Sequence, residues 1–429
     1  MDQTVFRRTV SVLCAVLLFL TAFMPGQPAY ADDFAERPLS NKSVRVSERY
    51  SSAKKLYKKT TKRFADAASD TSFSLFKETV LAGKKNENIL LSPDSVITVL
   101  AMMEAGAKGK TYKELNKALG GTKTGTYGKR LNGLHRRLAA SRSIRYDTAN
   151  SFWYRKGLIS IKKKYLKKIV QVYGADLYKA PFDSSTVKDM NNWTYNHTHG
   201  KIAQIIDRLD PSARAVLMNA VYFKGSWATP YRDTVKRTFT SSAGKKKKVD
   251  MLEGKEHIYL EIAGGKGFVK YYEGGETAFA ALLPPKGMSA RTYAKKLAGA
   301  KWIKGYRNRT SEGVTVETRM PEFSYEYKTS LKKPLRKAGV KTAFTKKADF
   351  RNMTAQSVSV DDILHKTYIK LDKDGTEAAA VTAVVMKANS VFRPDAKIKK
   401  VYLNRPFVYA IIDSESGIPL FLGIVNEVK

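Results

Sequence analysis

Five histidines, one cysteine and one Gly-Lys-Thr triplet have the greatest chemical reach in this 429-residue chain, and their spacing argues against the reactions they usually perform. His135, His197, His199, His257 and His365 form no HExxH pair or comparable ligand spacing, and His197 and His199, two apart, would face opposite sides of a helix. No GxSxG elbow presents a nucleophilic serine, and Cys14 lies inside an N-terminal apolar run. To cradle a phosphate, Gly109-Lys110-Thr111 would need a glycine at position 104, where Glu104 stands. The chain therefore reads as a protein that is not an enzyme and needs neither metal nor cofactor.

The segment with the most distinctive physical signature is Gly375-Thr376-Glu377-Ala378-Ala379-Ala380-Val381-Thr382-Ala383-Val384-Val385-Met386. It is small and β-branched without proline, and a polar stretch from Lys387 to Lys400 follows it. It reads equally as an edge strand with a surface loop and as a strand waiting outside a sheet; about 15 such residues would extend ~50 Å. In a strand, Thr376, Ala378, Ala380, Thr382 and Val384 share one face, and Glu377, Ala379, Val381, Ala383 and Val385 share the other. The first face leads with small residues. It can slip beneath covering helices, where a proline would break pairing and a charge would be buried badly.

The elements that must position this segment follow from periodicity. Helical spacing begins at Phe64, and Ser92-Pro93-Asp94 opens a buried helix over 95–105. Thr111 followed by Glu114 reads as a capping box on the next helix. Lys162 to Tyr173 and Ser330 to Ala338 read as amphipathic helices. Strand patterns cover Ala215–Phe223, Phe279–Leu283, Val314–Met320, Ile363–Leu371 and Phe407–Ile412, with Lys245 to Lys248 at a hairpin turn. Helices dominate the first third and strands the remainder, so the expected class is α+β.

Composition bounds the setting. Lys plus Arg number 77 against 39 Asp plus Glu, a net charge of +38 that favours acidic partners and says nothing about fold. Arg7 and Arg8, an apolar run from Val10 to Met24, and Ala29-Tyr30-Ala31 read as an export signal over residues 1–31, too short for the ~20 residues that span a bilayer. Its removal leaves a secreted, cysteine-free protein with 75 basic and 38 acidic side chains. Residues 32–60, with Lys54, Lys55, Lys58 and Lys59, read as a basic flexible leader, either a solvated tail or a tether to an anionic polymer.

From 61 to 429 the chain resembles the serpin family. The matching pieces, in the family's order, are Asn88-Ile89-Leu90-Leu91-Ser92-Pro93, Gly106-Ala107-x-Gly109-x-Thr111, Ala149-Asn150, Asn191-x-Trp193, Thr198-x-Gly200-Lys201-Ile202 and Asn219-Ala220-Val221-Tyr222-Phe223-Lys224-Gly225-x-Trp227. Met320-Pro321-x-Phe323, His365-Lys366, Gly375-Thr376-Glu377-Ala378-Ala379, Arg405-Pro406-Phe407 and Leu420-Phe421-x-Gly423 continue the series. The resemblance implies one domain of three β-sheets and eight to nine helices with an exposed reactive loop. It implies a monomeric inhibitor of a serine peptidase, and less readily of a cysteine peptidase. Cleavage of the loop leaves the peptidase acylated, and the loop enters the main sheet as a new strand.

By that resemblance the hinge is Gly375, Thr376, Glu377, Ala378, Ala379 and Ala380. Family spacing puts the scissile bond at Asn389-Ser390; Lys387-Ala388 is an alternative, and Arg393 a more distant one. Ala388 suits a subtilisin- or elastase-like peptidase and Lys387 a trypsin-like one. Ser92, Asn219 and His365 match the region where the main sheet parts, with hydrogen bonds expected among them, and Trp227 matches its top. Each also reads as an ordinary buried residue. Lys123, Lys129, Arg130, Arg136 and Arg137 lie where some relatives bind polyanions, although a basic face needs no ligand. Lys373 stands where the family commonly has Glu, so the ion pair expected at the top of the sheet is missing or inverted.

Overall fold

The computed structural model describes residues 34–50, 58–121, 126–377 and 397–428. Three sheets organise them. The largest has seven strands in the order β1 (Val44–Arg45), β4 (Asp176–Ala180), β3 (Ile144–Arg155), β5 (Ala215–Ser226), β14 (Gly375–Thr376), β13 (Leu364–Leu371) and β12 (Phe323–Ser330). A six-stranded sheet runs β2 (Ile89–Leu91), β17 (Pro419–Val425), β16 (Phe407–Asp413), β10 (Thr277–Leu283), β9 (Gly265–Tyr271) and β8 (Tyr259–Ile262). The third runs β15 (Lys397–Tyr402), β11 (Val314–Pro321), β7 (Lys246–Glu256) and β6 (Thr234–Thr240).

Nine α-helices occur among the described residues: α1 (Lys62–Ala82), α2 (Pro93–Gly106), α3 (Gly109–Ala118), α4 (Thr126–Ala139), α5 (Lys163–Tyr173), α6 (Ser184–His197), α7 (Ala290–Lys296), α8 (Gly299–Arg307) and α9 (Lys332–Lys337). None is long and apolar enough to cross a membrane. The α+β class and the three-sheet architecture expected from the sequence are present.

Two helices sandwich the large sheet. Every residue of α2 is buried, as its nearly unbroken apolar run requires, and Ser92 caps it by accepting from the Ser95 amide at 3.3 Å. On the other face, α6 packs Met190 and Trp193 against Trp153, Met218 and Ala220 in a second core, while Phe152 and Phe223 face the main one. Strand alternation makes this division: neighbouring residues of one strand serve opposite cores.

Two sequence expectations give way. The leader, read as a solvated tail, is ordered over 34–50: β1 pairs antiparallel with β4, Ser40 donates to Asp189 through its amide and hydroxyl (2.6 Å each), and Asn192 donates to the Pro38 carbonyl at 2.8 Å. Arg37 lies 3.6 Å over the Tyr195 ring. These are backbone and polar contacts, which leave no hydrophobic period to read. The capping box also fails. Thr111 sits inside α3 and accepts from the Asp349 amide at 2.9 Å, while Glu114 accepts from the amides of Lys341 and Thr342 at 2.7 and 2.6 Å. The pair ties α3 to a distant loop.

Candidate functional site

The centre of the large sheet is the place of β14, between β5 and β13. β14 is two residues long and bridges its neighbours only at the top, with Gly375 opposite Ser226, Thr376 opposite Gly225, and Leu371 opposite Thr376. Below it, Ala215–Lys224 of β5 and Leu364–Ile369 of β13 face each other with no strand between them among the described residues. A cavity of about 720 Å³ opens at the lower end of this gap, with Val99, Met103, Leu217, Asn219, Phe350 and His365 among its walls. A slot between two strand edges is a place where an extended chain can pair.

The mouth of the slot is built around the turn from β13 into β14. Trp227 donates from its indole to the Asp372 carbonyl at 3.0 Å and from its amide to the Asp374 carbonyl at 2.9 Å, and the Tyr231 amide donates to the Lys373 carbonyl at 3.0 Å. Gly375 is obligatory: a Cβ there would stand 2.1 Å from the Gly225 carbonyl oxygen. Thr376 is 2% exposed, and its hydroxyl meets the Tyr272 hydroxyl at 2.5 Å. Tyr272 stacks on Trp227 with centroids 4.6 Å apart. Beneath Trp227 and Tyr231 lies the Lys270 ammonium, 4.3 Å from the Tyr231 ring and 2.9 Å from Glu256, whose carboxyl burial pushes upward.

At Lys373 the structure decides between a missing and an inverted pair. Its ammonium is paired with Asp374 at 3.1 Å, and its amide, not its side chain, donates to Glu322 at 3.0 Å. Glu377 follows β14 with φ of +53° and its amide donating to Lys370 at 2.8 Å; its carboxylate is paired with Lys201 at 2.6 Å.

Deeper in the slot, Ser92 and His365 come together: the Ser92 amide donates to His365 Nε2 at 3.1 Å, and the Ser92 hydroxyl donates to the Leu420 carbonyl at 3.1 Å. Burial drives the His365 pKa down to about 4, so the ring is neutral and its Nε2 can accept. Asn219 does not join them, contrary to expectation. Its amide donates to Asn150 at 2.8 Å, and its Oδ1 is buried with no hydrogen-bond partner among the described residues.

The basic residues disperse. Arg137 is bonded to the buried Asp413 and paired with Glu415 at 3.2 Å, so it is no ligand-seeking surface cation. Arg130 donates to the Lys59 carbonyl at 2.6 Å, and Lys129 offers its carbonyl to the Lys58 amide at 2.8 Å. Arg136 lines a separate cavity of about 850 Å³ beside α4. Lys123, Ala378, Ala379, Ala380, Lys387, Ala388, Asn389, Ser390 and Arg393, with the export signal, lie outside the described residues.

Sequence reasoning missed Tyr272, Lys270 and Glu256 altogether, since nothing in their spacing sets them apart. Lys201 stood inside a quoted motif, Thr198-x-Gly200-Lys201-Ile202, without a role.

Comparison with known proteins matches this geometry. The family model described as serpin (serine protease inhibitor) matches residues 66–428. An uncharacterized serpin-like protein of Thermococcus kodakarensis is 30% identical, with 99% of each chain covered. Intracellular coagulation inhibitor 2 of Tachypleus tridentatus is 30% identical over 80% of this chain and 86% of its own. The crystal structure of the thermophilic serpin tengpin in its native state superposes with a TM-score of 0.83 at 33% identity, covering 90% of this chain and all of that one. Its latent state gives a TM-score of 0.76 at 32% identity, covering 87% of this chain and all of that one. With an aromatic-capped turn at the top of its large sheet and a match over almost its whole length, this chain belongs to the serpin family.

Proposed function

We propose that this protein is a secreted inhibitor of serine endopeptidases, with cysteine endopeptidases as a second class, acting as a suicide substrate. The target's nucleophile attacks the carbonyl carbon of Asn389, or of Lys387 in the alternative register. The peptide bond breaks, the amine of the following residue leaves with a proton supplied by the peptidase, and an acyl link joins enzyme and inhibitor. The segment from Glu377 onward then extends β14 down between β5 and β13, carrying the peptidase with it and deforming its site before water can release it.

The observation that carries this reading is that Gly375 and Thr376 already pair as a strand between β5 and β13, above a cavity lined by both. The small face led by Thr376 fits the passage, and the buried Asn219 Oδ1 offers an acceptor where a new strand would arrive. Each added ladder hydrogen bond contributes about 0.5–1.5 kcal/mol, so about a dozen residues lower the free energy by roughly 10 kcal/mol. The unfilled form persists because opening the sheet is slow.

Incubation with subtilisin-, trypsin- and elastase-like peptidases tests the reading. An SDS-resistant complex is expected with at least one. Thr376→Arg would bury a charge against Tyr272, so this variant should be cleaved without trapping its attacker. If the wild type is merely nicked while every peptidase stays active, the reading falls, and a non-inhibitory binding protein using its basic surface on anionic polymers takes its place.

A further inference from the structure

The β6–β7 hairpin carries two kinds of cation. Those at its base are matched: Lys236 is paired with Asp250 at 2.8 Å, and Glu253 is shared by Arg237 at 2.9 Å and Arg319 at 3.0 Å. Those at its tip are not. Lys245, Lys246, Lys247 and Lys248 are all exposed, and no acid pairs with any of them among the described residues. The same holds for Lys84 and Lys85, exposed in the turn between α1 and β2.

Hydrogen bonds join these two groups and brace them. Gly244 closes the tip with φ of +80°, its amide donating to the Ser241 carbonyl at 2.9 Å while the Ser241 amide donates to the Lys245 carbonyl at 2.8 Å. Ser242 then ties the tip down: its amide donates to the Asn426 carbonyl at 2.9 Å and its hydroxyl to the Asn86 side chain at 3.2 Å. Asn426 donates in turn to the Glu87 carbonyl at 2.6 Å, and Arg291 holds the carbonyls of Gly83 and Lys84 at 2.7 and 3.0 Å. The acids of the joined segments are Glu87, whose carboxylate accepts from the Lys84 amide at 3.2 Å, and Glu427. Six lysines thus stand on one braced corner against two carboxylates. Their mutual repulsion costs the free protein stability, and an anionic partner would remove that cost.

The chemistry of the corner defines its ligand. Lys246 and Lys248 share a ribbon face with Thr240 and Thr238 at a spacing of about 7 Å, whereas Lys247 lies opposite Phe239. Cations spread over both faces and the turn suit a chain that can follow the ribbon better than a flat surface. Ammonium groups are point charges that read phosphate and not bases, and Phe239, the one aromatic ring of the hairpin, is 2% exposed and offers no base a platform. We infer that the β6–β7 tip, with Lys84 and Lys85, is a binding site for the backbone of a phosphodiester polymer. The inference goes beyond the proposed inhibition and does not depend on it.

Fluorescence anisotropy of a labelled DNA duplex of about 20 base pairs, titrated with the full-length protein, tests the site. Six phosphate contacts imply that wild-type affinity falls about a thousandfold between about 50 and 200 mM salt. Lys245→Gln, Lys246→Gln, Lys247→Gln and Lys248→Gln together should leave a fall of only about tenfold over that interval. The four corresponding Lys→Arg exchanges keep the charge and should keep the steep dependence, which separates lost charge from a disturbed hairpin. Lys236→Gln, whose cation Asp250 already matches, and the α4 pair Lys129→Gln with Arg130→Gln should bind as wild type does. A base-free poly(glycerol phosphate) should displace the duplex, and its potency per phosphate against unlabelled duplex tells which of the two polymers the site prefers. No wild-type binding at low salt, or an unchanged salt dependence after the four Lys→Gln exchanges, overturns the inference. So does an equal loss in Lys236→Gln or the α4 pair, which would make the binding a matter of net charge alone, and so does a base-free chain that displaces nothing.

Discussion

The centre of the six-stranded sheet and the centre of the seven-stranded sheet differ in how deeply their strands are buried. In β10, β16 and β17 every residue is buried, the ladders run the length of the strands, and Phe279, Tyr409 and Phe323 interlock with centroids about 5.5 Å apart. Between β5 and β13 the described ladder covers Gly375 and Thr376, a cavity opens below them, and the buried Asn219 Oδ1 has no hydrogen-bond partner among the described residues. The first region is a finished core; on the proposed reading the second is the one left unfinished until cleavage. The difference then separates the sheet that holds the fold together from the sheet that gains stability when a strand enters.

The largest effect should come from filling the unfinished side. Cleaving the loop with a peptidase in trace amount should raise the melting temperature by about 10–20 °C, as some 10 kcal/mol of added pairing implies for a chain this long. Coincident calorimetric traces for intact and cleaved protein would erase the contrast. Next come paired truncations. Phe279→Ala, in the finished sheet, should cost about 3–5 kcal/mol in denaturant titrations of either form. Leu217→Ala, on the wall of the slot, should cost only about 1 kcal/mol intact and distinctly more once cleaved, because its neighbour arrives only then. Equal costs in both forms would mean that no strand reaches Leu217.

The last effect is one of pH. His365 has its pKa lowered to about 4 by burial, below its usual value near 6.5, so the unfolded chain binds a proton that the folded chain refuses. Its contribution is fully present above about pH 6.5 and declines toward pH 4, by up to about 3 kcal/mol. His365→Gln keeps an acceptor for the Ser92 amide without the titration, so its unfolding free energy should fall less steeply than wild type over that interval. Parallel curves would show that His365 is protonated without penalty.

Much of the fold was legible because it is written in local periods. The Ser92-Pro93 helix start, the strands at 215–226, 314–321, 364–371 and 407–413, and the helix at 163–173 all appear near their expected bounds. The hinge reading rests on a different signal, side-chain size along one face of a strand, and only Gly375, Thr376 and Glu377 of it fall within the described residues. What escaped were contacts whose partner is chosen by tertiary approach. Thr111 and Glu114 have the spacing of a cap, and their oxygens went to loop amides instead. Arg137 looked like surface charge until Asp413 arrived beside it. The leader carries no hydrophobic period, yet its backbone found the open edge of β4.

By itself the sequence determined the family, the α+β class and the small, proline-free strand that could enter a sheet, since these depend on composition and on periods of 2 and 3.6 residues. Only the tertiary structure decided that Gly375 and Thr376 pair between β5 and β13, and which groups surround them. The Thr376–Tyr272 contact joins residues 104 apart, and the Ser92–His365 bond joins residues 273 apart. Over such separations pairing is set by how sheets and helices pack in space, which no local pattern encodes.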